Sequence, residues 1–234
     1  MIDAVALRAR LADIRSRIER AAGRVGRDPS SIRLVAVSKT FPVDAVHALA
    51  DAGQLDFGEN KVQEALQKMD QLSGLPIRWH LLGHLQSNKA KKAGRFDVVH
   101  SIDSAGLIGK LDEAVSAAGR TLDLLVQVDL AGEATKHGAR EEDLAEIFAA
   151  AASARAVRAV GMMLLPPAAD DPEDSRPFFR ALRDVRGRLL ARGVDPSMLK
   201  ELSMGMSHDF EVAVEEGATL VRVGTALFGG RTYV

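Results

Sequence analysis

The sequence predicts an α/β protein built as one closed, TIM-like (β/α)8 barrel with an additional N-terminal helix. Three observations predict it. Eight short apolar runs recur along the chain, most of them separated by amphipathic stretches of helical length. Strands that alternate with helices pair in parallel with the helices outside, and eight such units match a closed barrel. Polar residues fall directly after the apolar runs, where a barrel of this kind collects its chemistry. The competing architecture is an open doubly wound sheet, but no GxGxxG follows an early strand. Residues 1–234 are assigned to a single domain, a normal length for such a barrel.

The leading helix covers about residues 4–22, where Leu7, Leu11, Ile14 and Ile18 recur at helical spacing until Gly23, Gly26 and Pro29 interrupt it. The predicted strands are 34–38, 55–58, 78–82, 98–101, 122–128, 156–162, 199–203 and 219–223. Helices are predicted over 42–52, 60–72, 104–118, 141–152, 174–191 and 208–216, with a shorter one at 88–93. The Pro-rich segment 166–172 reads as a mobile rim loop after strand six.

Composition excludes several classes of function. Net charge is -1, from 31 basic and 32 acidic side chains, so no global field draws in nucleic acid or a membrane. The chain has no cysteine, which removes disulfides, thiolate catalysis and cysteine-based metal sites and fits a reducing compartment. No run approaches the roughly 18 apolar residues of a spanning helix, and the N-terminus lacks the basic-then-apolar order of a signal peptide. A cytoplasmic protein is the expectation.

Lys39 is the most informative residue. It ends the run Leu34-Val35-Ala36-Val37-Ser38, so an amine stands at the mouth of a buried strand. A structural lysine there snorkels or finds an ion partner. A partly desolvated one is a nucleophile suited to an aldehyde. The far end of the chain favours the second reading. Ser203-Met204-Gly205-Met206-Ser207 and Val223-Gly224-Thr225 follow strands seven and eight, the usual phosphate position in this fold. Small residues there let backbone N–H groups approach an oxyanion, although Gly205 and Gly224 also suit ordinary tight turns. Together, amine and phosphate site suggest a phosphorylated aldehyde.

Arg222 is the second notable charge, because a guanidinium inside Leu220-Val221-Arg222-Val223 needs a partner. A carboxylate in a barrel layer or a ring nitrogen of a bound cofactor would supply one. His80 and His84 lie four apart, but no HExxH pattern or third ligand completes a metal set. His137 and His208 read as rim residues. Lys89, Lys91, Lys92 and Arg95 read as a solvated helix face, without the interleaved aromatics of a nucleic-acid site.

Longer motifs carry a family resemblance. Val37-Ser38-Lys39, Phe57-Gly58-Glu59-Asn60-Lys61-Val62-Gln63-Glu64, and the segment from Trp79-His80 through Gly83-His84-Leu85-Gln86-Ser87-Asn88-Lys89 match in order. So do Lys136-His137-Gly138, Leu202-Ser203-Met204-Gly205-Met206-Ser207-His208-Asp209 and Val221-Arg222-Val223-Gly224-Thr225-Ala226-Leu227-Phe228-Gly229. The chain resembles the pyridoxal-phosphate homeostasis proteins, whose barrel is like the N-terminal domain of bacterial alanine racemase. The resemblance implies that Lys39 holds pyridoxal 5′-phosphate as a Schiff base. It implies phosphate contacts from Ser207, Gly224 and Thr225, with Ser203 and Gly205 shaping the turn and Arg222 facing the pyridine nitrogen. Asn60 and His80 are placed near the ring or its rim. Asp129 and the Gly161-Met162-Met163-Leu164 segment depart from the family pattern, which bears on rim contacts.

A racemase of that fold adds a second domain that supplies a tyrosine base. Here the only tyrosine is Tyr233, and no second acid or base for α-proton removal is evident. The expectation is therefore a monomeric cofactor-binding protein without classical catalysis. Imine exchange with free amino acids would let it control free pyridoxal phosphate and affect amino-acid and keto-acid pools. The alternative is a pyridoxal-phosphate-dependent amino-acid racemase or related α-carbon enzyme. A third class is a barrel for another phosphorylated ligand or for none.

Overall fold

The computed structural model describes residues 3–132 and 137–230. Helix α1 (Ala4–Arg24) comes first, started by Asp3, whose carboxylate accepts the Ala6 N–H at 2.9 Å. Strands then alternate with helices: β1 (Arg33–Val37), α2 (Val43–Ala50), β2 (Asp56–Glu59), α3 (Val62–Gln71), β3 (Arg78–Leu81), α4 (Ala90–Ala93), β4 (Val98–Ile102) and α5 (Ala105–Ala117). After them come β5 (Leu122–Gln127), α6 (Leu144–Ala152), β6 (Val157–Met163), α7 (Arg176–Ala191), β7 (Glu201–Ser203), α8 (Phe210–Glu215), β8 (Leu220–Val223) and α9 (Thr225–Phe228). The eight strands are parallel and close in sequence order, β8 pairing with β1 through Arg33↔Leu220 to Ala36↔Val223. Predicted and observed strands agree to within about one residue at nearly every end, inside the usual uncertainty of a boundary. Residue 199 is the exception. Asp195 and Pro196 start a 3₁₀ turn that carries Leu199 before β7 begins at Glu201.

Strand alternation sorts the side chains into two cores. Leu34 and Ala36 face the helices, whereas Val35 joins Val98, Leu125, Met163 and Leu220 inside the barrel. The floor of the interior is charged. Arg33, Arg78, Asp123 and Glu201, one from each odd strand, form the kind of four-residue layer that fills such barrels. Two ion pairs satisfy it, Arg33 to Glu201 at 2.5 Å and Arg78 to Asp123 at 2.8 Å. Two irregularities, between Val99 and Ile102 on β4 and opposite Leu124 and Leu125 on β5, shift the inward parity of the neighbouring strands. At the second, β6 and β7 approach so closely that a Cβ on Gly161 would lie 2.0 Å from the Glu201 carbonyl oxygen.

Helix α1 completes the outer ring. Strand β8 is followed by the single turn α9, too short to cover the β8–β1 seam. Helix α1 packs there against α2, α8 and α9. Its buried stripe is Leu7, Leu11, Ile14, Ile18, Ala21 and Ala22. Polar contacts fix the pose: Arg17 reaches Glu211 at 3.2 Å and lies over the Phe210 ring, and Arg10 donates to the Phe228 carbonyl at 3.1 Å. Ile14 is fully buried in this seam. Ile14→Ala is expected to lower the free energy of unfolding by about 2–5 kcal/mol in urea titrations. A loss below about 1 kcal/mol would mean that α1 is not part of the core.

Candidate functional site

At the C-terminal ends of the strands lies a cavity of about 510 Å3. Lys39 enters it just beyond β1, Asn60 just beyond β2, and Arg222 from β8. Met206, Ser207 and His208 line it from the segment after β7, Gly224 and Thr225 from the turn after β8. Leu82, Met163 and Leu165 supply apolar wall, and Pro166 and Ala168 of the Pro-rich loop close one side. A strand-end amine, a guanidinium and a glycine turn, far apart in sequence, thus converge because β1 and β8 are neighbours.

The backbone around Lys39 is held from behind. Ser38 is fully buried, and its hydroxyl donates to Glu59 Oε1 at 2.7 Å. Lys68 of α3 donates to the Ser38 carbonyl and to Glu59 Oε1, both at 2.7 Å, and to Glu64 Oε1 at 2.9 Å. Glu64 also accepts the Thr40 N–H at 2.6 Å. Thr40 has φ 68°, a left-handed conformation that a β-branched residue adopts only when its surroundings impose it. Phe41 then stacks on Phe228 of α9, ring centroids 4.7 Å apart, which ties the lysine loop to the turn after β8. Lys39 is in this way carried on a strained, over-determined turn rather than on a loose loop.

The turn after β8 gathers backbone donors at the cavity wall. Ser207 Oγ accepts the N–H groups of Gly224 at 3.1 Å and of Ala226 at 3.3 Å. Two backbone donors therefore converge on one oxygen at the cavity wall. Gly205 does not line the cavity. It has φ +88°, and a Cβ there would meet the Ala213 Cβ at 2.5 Å. Its role is to bend the chain so that its carbonyl accepts the Arg222 N–H at 3.0 Å.

Arg222 is 4% exposed. Its Nη1 donates to Ser203 Oγ at 2.6 Å and its Nη2 to the Leu164 carbonyl at 2.8 Å. Burial lowers its pKa to about 10, so the side chain stays a charged donor near neutrality. Of the two partners the sequence offered, the barrel-layer carboxylate is not the one used: both bonds go to neutral oxygens.

Like Gly205, two further residues of the expected site, Ser203 and His80, do not line the cavity. Ser203 is buried in the barrel interior beneath the cavity, because β7 turns it inward beside Arg222 and His100. His80 is a correction: it is not at the rim. Strand β3 points it into the interior near the floor, where it bonds Asp56 at 2.8 Å and His100 at 2.9 Å. Asp129 accepts the Ala131 and Gly132 N–H groups and so shapes its own turn. Lys136 and Tyr233 lie outside the described residues.

Sequence reasoning missed His100, Lys68 and Phe41. Lys68 carries a visible signal, since it sits on the α3 stripe of Val62, Ala65 and Met69 and should not be charged unless paired. Of the outer histidines, His84 lies 3.5 Å from Asp103 and stacks on His137 at 3.6 Å with the rings 13° apart. Near-parallel rings aim their nitrogen lone pairs along parallel planes, a poor start for a shared metal. His208 borders the cavity, its Nε2 2.9 Å from the Asp170 carbonyl oxygen.

Comparison with known proteins fits this geometry. The family model for the alanine racemase N-terminal domain matches residues 9–232. A pyridoxal phosphate homeostasis protein of Aquifex aeolicus is 41% identical over 225 residues, 96% of this chain and 98% of the relative. The chain belongs to the pyridoxal phosphate homeostasis protein family. A solved member, PipY of Synechococcus elongatus with pyridoxal phosphate bound, is 40% identical and superposes with a TM-score of 0.85 over 95% of this chain and all of that one. The alanine racemase of Corynebacterium glutamicum shares the fold at 20% identity and a TM-score of 0.70, covering 97% of this chain and 60% of that one.

The clamp behind Lys39 makes a pH-dependent prediction. Burial pushes the Glu59 carboxyl above its usual range, and the Lys68 charge and hydrogen bond, with the Ser38 hydroxyl, work against that rise. A carboxyl with a raised folded-state pKa weakens the fold as pH climbs from the ordinary carboxylate range to the raised value. Lys68→Met removes the opposing charge and widens that window. The variant is expected to be less stable than the parent by about 3 kcal/mol near pH 8, with the gap shrinking near pH 5. Urea titrations at the two pH values check it, and a pH-independent gap would contradict the ion-pair account.

Proposed function

We propose that this chain holds pyridoxal 5′-phosphate reversibly on Lys39 and so buffers the free cofactor. The convergence of Lys39, Arg222 and the Ser207–Gly224–Thr225 turn on one cavity carries the reading. The residues fit the group. The turn brings the Ser207 and Thr225 hydroxyls to the cavity wall, with the Gly224 and Ala226 N–H groups gathered on Ser207 Oγ beside them, the apolar wall of Leu82, Met163 and Leu165 suits a planar ring, and Lys39 is held at the strand end. The bound group supplies an aldehyde that condenses reversibly with amines. Lys39 contributes the amine. Arg222 would face the ring nitrogen as a donor, and a donor there would disfavour a proton on that nitrogen. By doing so Arg222 would weaken electron withdrawal at the bound group, which suits holding better than α-carbon chemistry.

Release follows from the same geometry. Lys39 would be released when an incoming amine takes its place, and free amino acids are the expected exchanging partners. Racemisation needs a second acid–base group opposite the lysine. Among the described residues that line the cavity, the other titratable side chains are Arg222, tied by two hydrogen bonds, and His208 beside the Asp170 carbonyl. Few large apolar side chains are exposed among the described residues (Val5, Val25, Leu55, Leu190 and Met206), which supports a monomer. A chain without cysteine supports a cytoplasmic setting.

Two experiments test the reading. After incubation with pyridoxal phosphate and borohydride reduction, intact mass should show one adduct on the parent and none on Lys39→Ala. Survival of the adduct at the same stoichiometry would remove Lys39 as the anchor. Gly224→Asp sets a carboxylate against the phosphate, and its Cβ has ordinary room, 3.4 Å from the Val37 Cβ. Equilibrium titration should show affinity reduced by about tenfold or more with the fold intact. Unchanged affinity would count against the phosphate turn. A panel of amino acids followed for α-hydrogen exchange should show no rate above that of free cofactor, whereas racemisation of any of them would favour the enzyme reading.

A further inference from the structure

Inside the barrel, a line of polar side chains runs from the cavity to the opposite mouth. Arg222 Nη1 lies 2.6 Å from Ser203 Oγ, and Ser203 Oγ lies 2.9 Å from His100 Nδ1. His100 Nε2 lies 2.9 Å from His80 Nδ1, and His80 Nε2 lies 2.8 Å from Asp56 Oδ1. Five strands contribute: β8, β7, β4, β3 and β2. Ser203, His100 and His80 are fully buried. The line meets open space at the mouth cavity and at the floor. Arg222 lines the mouth cavity, and the Asp56 side chain keeps 21% exposure at the floor, where His80 borders a separate hollow of about 200 Å3.

The two ends dictate the direction of every bond between them. A guanidinium has donors only, and an ionised carboxylate accepts only. Arg222 therefore donates to Ser203, whose own proton goes to His100 Nδ1. His100 carries its proton on Nε2 and donates to His80 Nδ1. His80 carries its proton on Nε2 and donates to Asp56. Four bonds are made with no conflict, and both imidazoles are neutral Nε2–H tautomers. Moving either imidazole proton to Nδ1 sets two donors or two acceptors face to face in a buried place, where each loss is costly.

We propose that Asp56, His80 and His100 are positioning residues that act through Ser203: they keep a Ser203 lone pair aimed at Arg222, lock the guanidinium in its orientation at the cofactor cavity, and couple that orientation to the charge on Asp56 at the far mouth. The hydrogen-bond polarity stands on this structure alone; only its effect on the ring nitrogen rests on the function proposed above.

The surrounding charges support the arrangement. Burial alone raises the pKa of Asp56, but the His80 hydrogen bond and the nearby Arg33 and Arg78 charges bring it below the usual carboxylate range. Burial pushes His80 down despite Asp56, with Arg78 and Arg33 adding to it. Burial pushes His100 well down, helped by the Arg222, Arg33 and Arg78 charges. The remaining charges at the floor are paired: Glu201 of β7 with Arg33, and Asp123 of β5 with Arg78 and with Arg158 of β6. Asp56 is thus held ionised and both histidines neutral, as the single polarity requires.

The test begins with cofactor-free protein labelled with 15N-histidine. Long-range proton–nitrogen spectra near neutral pH should show His80 and His100 both as Nε2–H tautomers. An Nδ1–H tautomer or an imidazolium at either position would overturn the proposal, whether or not the protein takes up pyridoxal phosphate. Asp56→Asn keeps the shape but removes the obligatory acceptor. It should add a second tautomer at His80 and His100 and, with pyridoxal phosphate bound, move the pH midpoint of the visible imine band by about half a unit or more. In a Ser203→Ala background the same Asp56 change should no longer move the band, because the line is already cut. A band that ignores Asp56→Asn, or that responds equally with and without the Ser203 hydroxyl, would also overturn it.

Discussion

A guanidinium buried inside the barrel is the constraint around which this molecule is organised. Arg222 cannot be left without acceptors at 4% exposure, and β8 gives it no carboxylate. Two neutral oxygens take its protons: the Ser203 hydroxyl and the Leu164 carbonyl, from β7 and the segment after β6. Gly205 bends the chain so that the Arg222 backbone N–H is satisfied as well. These contacts fix three consecutive strand ends relative to one another. The cavity inherits its shape from them, and a cation about as buried as the core faces its interior.

Lys39 is supported by a different device on the other side of the β8–β1 seam. Its strand end rests on the Ser38–Glu59–Lys68 cluster, between barrel and helix layer, and its loop is stapled to α9 by the Phe41–Phe228 stack. The seam itself depends on α1, which stands where the helix after β8 would otherwise lie. Lys39 and the turn after β8 are adjacent because β1 pairs with β8, and the N-terminal helix covers that seam from outside. Stability of the seam and integrity of the site are in this sense one property.

Much of this was legible in the sequence, and the reason is physical. Each strand end announces itself as a polar residue after an apolar run, so Lys39, Asn60, Ser207, Gly224 and Thr225 could be placed without coordinates. Arg222 was legible as an anomaly, a charge inside an apolar strand. What could not be read was parity and partnership. His80 looked like a rim residue because its motif sits near a strand end, yet β3 turns it inward toward the floor. Ser203 looked like part of a phosphate turn, yet it faces Arg222 from below. His100 was missed because its partners, Ser203 and His80, lie 103 and 20 positions away. The β4 and β6 irregularities also break the simple in–out count.

The most direct measurement is a crystal structure of this protein with pyridoxal phosphate. The account predicts continuous density from Lys39 Nζ to the aldehyde carbon and the phosphate against Ser207, Gly224 and Thr225. It places the ring nitrogen within about 3 Å of the Arg222 guanidinium. A phosphate bound elsewhere, or a ring nitrogen turned away from Arg222, would contradict it.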